Sequence, residues 1–367
     1  MIWLGVAALL AWLVLLLGRG MFWLCRENDL QAAPDLLHWP DVTILVPARD
    51  EAETIATVVQ ALLAQDYPGR LALWVVDDRS SDGLHLVQGR ARPPGWTGKL
   101  WALQQGLEAA KPATPYLLFT DADIRHAPDS LRRLVARAEA GGYALTSLMA
   151  KLRCESRAER WFIPAFIYFF QMLYPFRWAN DPASRMAAAA GGCVLLRRAD
   201  FEAAGGVAAI RGAMIDDCTL AAAIKRQRPG TRIWLGLTER VVSLRACPNI
   251  EPIRRMVART AYAQLRYSPA LLLGMLLALT LVFLVPPALT ALGSGWARLL
   301  GLAAWLGMAL SFAPMLRFYH LPAWRGLALP MVAVFYMLFT LDSAIAQHRG
   351  QGGMWKGEAG PQPPSPG

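Results

Sequence analysis

The sequence predicts an α/β domain, a mixed sheet with helices on both faces, set between transmembrane helices at both ends of the chain. Three observations lead there. Of 367 residues, 55% are hydrophobic and only 17% are charged, against about 25% charged in soluble domains; the excess sits in uncharged runs near the two ends. Between residues 34 and 250 the pattern changes to short β-branched runs alternating with helical periodicity, the mark of parallel βαβ units. Each of the first three strand runs ends in an acidic or polar cluster, the position where open sheets of this kind bind ligands.

The N-terminal run is uncharged from Met1 to Leu17 and continues past Arg19 through Leu24, long enough for a hydrocarbon core that needs about 20 residues. A cleaved signal peptide would carry a basic residue ahead of its apolar run, and none is present. Residues 1–26 therefore read as a transmembrane anchor. Pro269–Leu292, Leu299–Leu316 and Gly326–Leu341 add three more spans, so 269–346 reads as three transmembrane helices. Arg19 and Arg26 follow the first span, Arg254, Arg255, Arg259 and Arg266 precede the second, and Arg317 and Arg325 fall on the same side. By the excess of basic residues on cytoplasmic loops, that side is the cytoplasm. The expectation is a multi-pass protein of the inner (cytoplasmic) membrane whose middle domain faces the cytoplasm. Arg349 and Lys356 run against the rule, in a Gly/Pro-rich tail (347–367) that reads as disordered. The aromatic run Trp161–Tyr174 contains Pro164 and covers only about 14 residues, which suits an interfacial or buried helix better than a span.

Within the middle segment, Val42–Val46 is a β-branched run ending at Pro47, and Ala52–Ala64 repeats Ile55, Val58, Val59, Leu62 and Leu63 at helical spacing. Leu71–Val76 is a second strand closed by Asp77-Asp78, Gly98–Ala110 a helix, Tyr116–Phe119 a third strand and Asp129–Ala138 a further helix. No phosphate-binding G-x-x-x-x-G-K-[ST] loop or G-x-G-x-x-G turn follows any strand. The five cysteines are scattered without a C-x-x-C pair, which excludes a disulfide framework and the usual zinc sites. The net charge of +10 fits nucleic acid, anionic lipid or a phosphorylated substrate. Because the basic residues flank the spans rather than interleave with aromatics on one soluble face, no nucleic-acid partner is expected.

The acidic clusters carry the chemistry. Asp121 and Asp123 follow the third strand, where alternation along an extended end points both carboxylates to one side. Such a pair holds a hard divalent cation that also bridges substrate phosphates; the bland reading is a solvated turn. At the end of the second strand, Asp77 or Asp78 can accept from a base N–H or a ribose hydroxyl, with Ser80 or Asp82 capping the next helix. Lys99, after Gly98, can meet a phosphate or carboxylate as a point charge, or lie along the surface. Asp216 and Asp217 open a helical run, where acidic residues favour the helix N-terminus by about 0.3–1 kcal/mol. As a pair they also make a general base, since mutual repulsion lifts one pKa toward neutrality. Arg255, Arg259, Tyr262 and Arg266 recur at i, i+4, i+7 and i+11, so 251–268 reads as one amphipathic interfacial helix for anionic headgroups or a diphosphate.

Taken in order, these clusters resemble family 2 glycosyltransferases of the GT-A fold, a Rossmann-like mixed sheet. The matching stretches are Val46–Glu51, Val76–Asp82, Gly98-Lys99, Asp121-Ala122-Asp123, Gly191–Arg198 and Asp216-Asp217. Gly95–Trp101, Tyr174–Pro182 and the four-span layout are similar to the hopene-associated (hopanoid) branch. Two departures stand out: Asp216 takes the place of a usual Glu, and Ala263–Tyr267 keeps only the Arg of a Q/R-x-x-R-W motif, which speaks against a polymer-making synthase. The resemblance implies metal-dependent (Mg²⁺ or Mn²⁺), inverting transfer of a sugar from a nucleotide-sugar donor, a UDP-sugar, to a lipid acceptor hydroxyl at the membrane. It implies donor binding by Pro47, Arg49, Glu51, Asp77, Asp78, Lys99, Asp121 and Arg266, a metal on Asp121 and Asp123, and catalysis by Asp217 with Asp216. Transfer to a polyprenyl phosphate, which needs no base, and a non-catalytic membrane scaffold are the alternatives. Transport is disfavoured because the spans are almost free of ionisable residues.

Overall fold

The computed structural model describes residues 1–31, 34–78, 80 and 89–350. Arg79, Ser81, Asp82 and Gly83, and the part of the expected disordered tail from 351 to 367, lie outside the described residues. In chain order the first elements are α1 (Ile2–Leu17), β1 (Val42–Ala48), α2 (Ala52–Leu63), β2 (Leu71–Asp77), α3 (Gly98–Ala110), β3 (Tyr116–Thr120), β4 (Ile124–His126), α4 (Ser130–Gly141) and β5 (Leu145–Lys151). Next come α5 (Arg157–Leu173), α6 (Phe176–Asn180), β6 (Cys193–Arg197), α7 (Arg198–Ala203), α8 (Asp216–Lys225) and β7 (Ile233–Ser243). The chain continues with α9 (Ile250–Ala258), α10 (Ala261–Gln264), α11 (Pro269–Leu279), α12 (Val285–Leu292), α13 (Gly295–Phe318) and α14 (Leu329–His348). Two units result, neither contiguous in sequence. One combines Glu27–Arg153 with Trp178–Arg245; the other combines Met1–Arg26, Cys154–Arg177 and Ala246–Gly353.

The first unit is built on a seven-stranded sheet in the order β2-β1-β3-β6-β5-β7-β4. β1 pairs in parallel with β2 and β3, β5 in parallel with β7, while β6 and β4 run antiparallel to their neighbours. Alternation along the strands supplies two cores. Val42, Ile44, Val46, Tyr116 and Leu118 pack with Ile55 and Val58 of α2 and Leu131 and Leu134 of α4. Leu45, Leu117 and Phe119 face the other way, onto Leu100 and Leu103 of α3 and Leu220 and Ile224 of α8. Pro47 is tolerated inside the central strand β1 because pairing with β3 has ended at Leu45.

Among the described residues, the second unit holds three helical stretches long and apolar enough to cross a membrane, Pro269–Leu292, Gly295–Phe318 and Ala323–His348. α1 is shorter than the expected anchor. The helix stops at Leu17, a rise of about 24 Å against a hydrocarbon core of about 30 Å, because Gly18 and Gly20 turn the chain into a 3₁₀ turn, Phe22–Leu24. In an apolar medium every backbone carbonyl still needs a donor, and this unit supplies two at prolines. Pro286 lacks the N–H that would reach Val282 O, and the Trp12 indole N–H donates there at 2.7 Å, beside a π-helical turn at Thr280–Leu284. Pro164 likewise deprives Arg160 O, which accepts from Arg325 at 3.0 Å.

The aromatic run lies in α5, with Phe162, Ile163 and Tyr168 buried. Tyr168 shares a 2.6 Å hydrogen bond with Ser311, and the Tyr336 hydroxyl donates to Phe162 O at 2.8 Å. Residues 154–177 thus fold with the apolar helices, which interrupts the α/β domain expected over 34–250. The single amphipathic helix expected over 251–268 is two short helices, α9 and α10, broken at Arg259-Thr260. Tyr262 is drawn into the packing, 2% exposed, with its N–H on Ser343 Oγ at 3.1 Å. Arg266 and Tyr267 take positive φ values of 52° and 56°, so the basic residues do not share one face with Tyr262.

Candidate active site

The site lies on the rim formed by the carboxyl ends of β2, β1 and β3, and strand direction explains what joins it. β6 runs antiparallel with Cys193 opposite Thr120, so Gly191-Gly192, just before β6, arrive beside Asp121; Thr120 Oγ1 donates to Gly192 O at 2.9 Å. β7 is parallel to β5 and delivers its carboxyl end to the same rim, where Leu244 N donates to Asp123 O at 2.8 Å. α8 begins at Asp216-Asp217, and Gly191 N donates to Asp217 Oδ2 at 2.9 Å. A Cβ at Gly191 would stand 3.1 Å from Lys99 Nζ. Glycine leaves this approach open, and a Cβ here would need the Lys99 ammonium to shift by a few tenths of an ångström.

Lys99 is the hub. Its ammonium lies 2.7 Å from Asp121 Oδ1 and 3.4 Å from Asp216 Oδ2, and Thr97 caps the helix that carries it. Burial disfavours the charged ammonium, but Asp121 and Asp216 outweigh it and raise the Lys99 pKa. Burial raises the Asp121 pKa, with Lys99 opposing and Asp123 and Asp216 adding to it. The Asp217 carboxyl is pushed up to about 6 by burial and then by the adjacent Asp216 charge, against Lys99 and the two backbone N–H groups it accepts from. Beside these charges opens a recess with an apolar floor that includes Leu103, Phe119 and Leu220.

The structure brings together Lys99, Asp121, Asp216 and Asp217, and next to them Asp123 and Glu51. The other candidates stand outside this cluster. Asp77 accepts from Ser80 N at 3.0 Å and from the Ser80 hydroxyl, and that hydroxyl also accepts from Asp50 N at 3.0 Å, where Asp50 has a φ of 50°. Ser80 therefore ties the ends of β2 and β1 together, and the helix expected after it falls outside the described residues. Asp78 faces Arg49 at 3.5 Å, and Pro47 is buried within the sheet. Arg266 belongs to the other unit, exposed in the turn after α10. Asp121 and Asp123 sit in a turn, with Ile124 N on Asp121 O at 3.1 Å, not on the extended end expected. Each carboxylate therefore faces its own cation, Lys99 for Asp121 and Arg245 for Asp123 at 2.8 Å.

Two residues escaped sequence reasoning. Arg245, which also reaches Glu51 at 2.6 Å, follows the run Val241-Val242-Ser243; recognising β7 would have placed it on the rim. Lys225, 8% exposed at the far end of α8, donates to Ala179 O, Asp181 O and Met186 O at 2.7, 2.8 and 2.6 Å. Burial lowers its pKa. With Gly191 on Asp217, Lys225 straps the segment from Trp178 to Gly191 along α8, and nothing local in the sequence announces that.

Among the described residues no three His, Cys, Asp or Glu side chains converge as a complete metal cage. Asp121 and Asp123 nevertheless fit a hard divalent cation of the kind that takes one or two carboxylates and completes its shell with water and substrate phosphate. Burial, and then the Asp123 and Asp216 charges, push the Asp121 carboxyl up, and a bound cation would favour its ionised form against both.

The mixed sheet and the rim at its strand ends define the fold as the GT-A type. Residues 43–205 match the family described as Glycosyl transferase family 2. The chain is 29% identical over 133 residues to an N-acetylglucosaminyltransferase of Mesorhizobium japonicum, covering 34% of this chain and 31% of that protein. It is 34% identical over 112 residues to a Beta-monoglucosyldiacylglycerol synthase of Synechocystis, covering 26% of this chain and 22% of that protein. The chain thus spans less than a third of each of these relatives. In fold it is similar to the mannosyltransferase PcManGT from Pyrobaculum calidifontis, solved with GDP-Man and Mn²⁺, with a TM-score of 0.53 and 21% identity over 97% of this chain and 100% of that one.

Proposed function

We propose that the chain is a membrane-bound, inverting glycosyltransferase that moves a sugar from a nucleoside-diphosphate sugar, a UDP-sugar, to the hydroxyl of a membrane lipid, a hopanoid by its sequence resemblance. One observation carries this reading. The Asp217 carboxyl, pushed up to about 6 and held by the Gly191 N–H, stands on the same rim as the Lys99–Asp121 pair. A base poised near neutrality beside groups that handle phosphate is what transfer to a hydroxyl requires. Asp217 takes the proton of the acceptor hydroxyl as that oxygen bonds the anomeric carbon from the face opposite the leaving group. The bond to the diphosphate oxygen breaks, and the nucleoside diphosphate leaves with the electron pair. Lys99 stands where it can neutralise part of that charge. Mg²⁺ or Mn²⁺ held by Asp121 and Asp123 would supply the rest as a Lewis acid. Asp78, with Arg49, is the donor-side pair left for the nucleoside, and Arg266 is proposed for the diphosphate. The three long apolar helices and the diacylglycerol in one relative's name support a lipid acceptor met at the inner membrane from the cytoplasmic side.

The test is turnover by the purified full-length protein in detergent, screened over nucleotide sugars with lipid acceptors and Mn²⁺ or Mg²⁺, with Asp123→Ala as control. Transfer that depends on the metal and on Asp123 is expected. No turnover or binding with any nucleotide sugar would sink the proposal. Activity that survives Asp217→Asn would point instead to a phosphate acceptor, which is already ionised.

A further inference from the structure

Arg245 occupies an unusual position. Its Nε lies 2.8 Å from Asp123 Oδ2 and its Nη2 lies 2.6 Å from Glu51 Oε1. The two carboxylates are nearly enclosed, with side chains 12% and 13% exposed, whereas the Arg245 side chain is 53% exposed. The backbone beneath it is fixed, by Leu244 N on Asp123 O at 2.8 Å and by Arg245 N on Ser243 Oγ at 3.3 Å. The rim's other cations are engaged elsewhere: Arg49 faces Asp78, and Lys99 faces Asp121 and Asp216. Arg245 is thus the counter-charge of Asp123, the carboxylate expected to hold the metal, on a long side chain free to swing into water while its root stays in place.

We propose that Arg245 is the site's built-in counter-ion. In the donor-free protein its guanidinium neutralises Asp123 and Glu51. A divalent cation arriving with a nucleoside diphosphate displaces it, and the freed guanidinium turns to the phosphates. The guanidinium is half exposed, so water can take up its charge when the metal and diphosphate together evict it, while the metal alone must compete with it. Guanidinium suits both stations, since its planar fork matches carboxylate and phosphate alike. The consequence is coupled binding, in which the empty site holds metal weakly and metal tightens when the nucleotide is present.

This inference rests on the reading given under Proposed function, and the experiment separates the two. Mn²⁺ binding is followed by the electron paramagnetic resonance of free Mn²⁺, with the full chain in detergent, with and without UDP. Arg245→Gln is expected to bind Mn²⁺ alone about 3–10-fold tighter than the unaltered chain, and UDP in the presence of Mn²⁺ several-fold more weakly. Arg49→Gln removes the same charge from the rim but not from Asp123, and is expected to change Mn²⁺ binding alone by less than half as much. Equal tightening in both variants, or no tightening in Arg245→Gln, overturns the counter-ion role while leaving the glycosyltransferase reading intact. If the unaltered chain binds neither Mn²⁺ nor UDP, both readings fall. Should Arg245→Gln fail to fold, Arg245→Lys serves; its single point of charge reaches one carboxylate, and Mn²⁺ alone should bind tighter than in the unaltered chain.

Discussion

As the proposed base, Asp217 must be deprotonated to accept a proton, so on that proposal its environment sets the acid limb of the reaction. Burial and the Asp216 charge hold the carboxyl at about 6; kcat/KM should therefore fall tenfold per pH unit below that value and level off above it. Asp216→Asn removes a repelling charge, favours the carboxylate, and should move the limb to lower pH. Asp217→Asn should cost roughly 10²–10⁴-fold in turnover with nucleotide affinity held. His126 makes a separate prediction about stability. Burial lowers its pKa to about 4, between the hydroxyls of Thr120 at 2.8 Å and Ser130 at 3.4 Å. Above about pH 6.5, the unperturbed value, the ring is neutral folded or unfolded and adds no pH dependence. Between there and about 4 only the unfolded chain takes up the proton, so stability falls as pH drops. The total is roughly 3 kcal/mol, at 1.36 kcal/mol per pKa unit. Denaturant titrations across that window should show the slope, and His126→Gln should flatten it.

Elements were legible where one short stretch of chain decides them. β1, β2, β3 and the helices after them follow from runs of four to seven residues with turn residues at their ends, and the structure places them within a few residues of expectation. β5 carries buried Thr146 and Ser147, and β7 carries Gly236, Glu239 and Arg240; these strands are stabilised by partners far away in sequence, and their own pattern does not show it. The same holds at the site. The acidic clusters were readable because they lie beside recognisable strands, whereas Arg245 and Lys225 gain meaning only from contacts 122 and 39–47 residues away. The Trp12–Val282 hydrogen bond is another such contact, and its worth can be measured. Intramembrane hydrogen bonds average about 0.6 kcal/mol and reach about 1.7, and here the carbonyl has lost its helical donor to Pro286. Trp12→Phe should lower thermal stability in detergent accordingly. In a Pro286→Ala chain, where the backbone N–H is restored, the same change should cost less, and equal costs in the two backgrounds would refute the link.

At the scale of the whole molecule, three apolar stretches of 24, 24 and 26 residues predict that the protein stays in the membrane pellet after washing with high salt and with alkaline carbonate. Release by carbonate would contradict integration. The division into two interleaved units also has a consequence for synthesis. α5 is translated well before its partners: Tyr168 and Ser311 are 143 positions apart, and Phe162 and Tyr336 are 174. At about 5–20 residues per second, the aromatic helix waits on the order of ten seconds or more before the helices that cover it emerge. During that interval α5 has only its earlier native partners, such as Phe22 against Tyr168 and Arg19 on Met172 O, and an early stop before residue 311 would leave Tyr168 without Ser311 and Phe162 O without Tyr336 permanently. Nascent chains halted between 180 and 300 should therefore be the ones that recruit chaperones or are degraded.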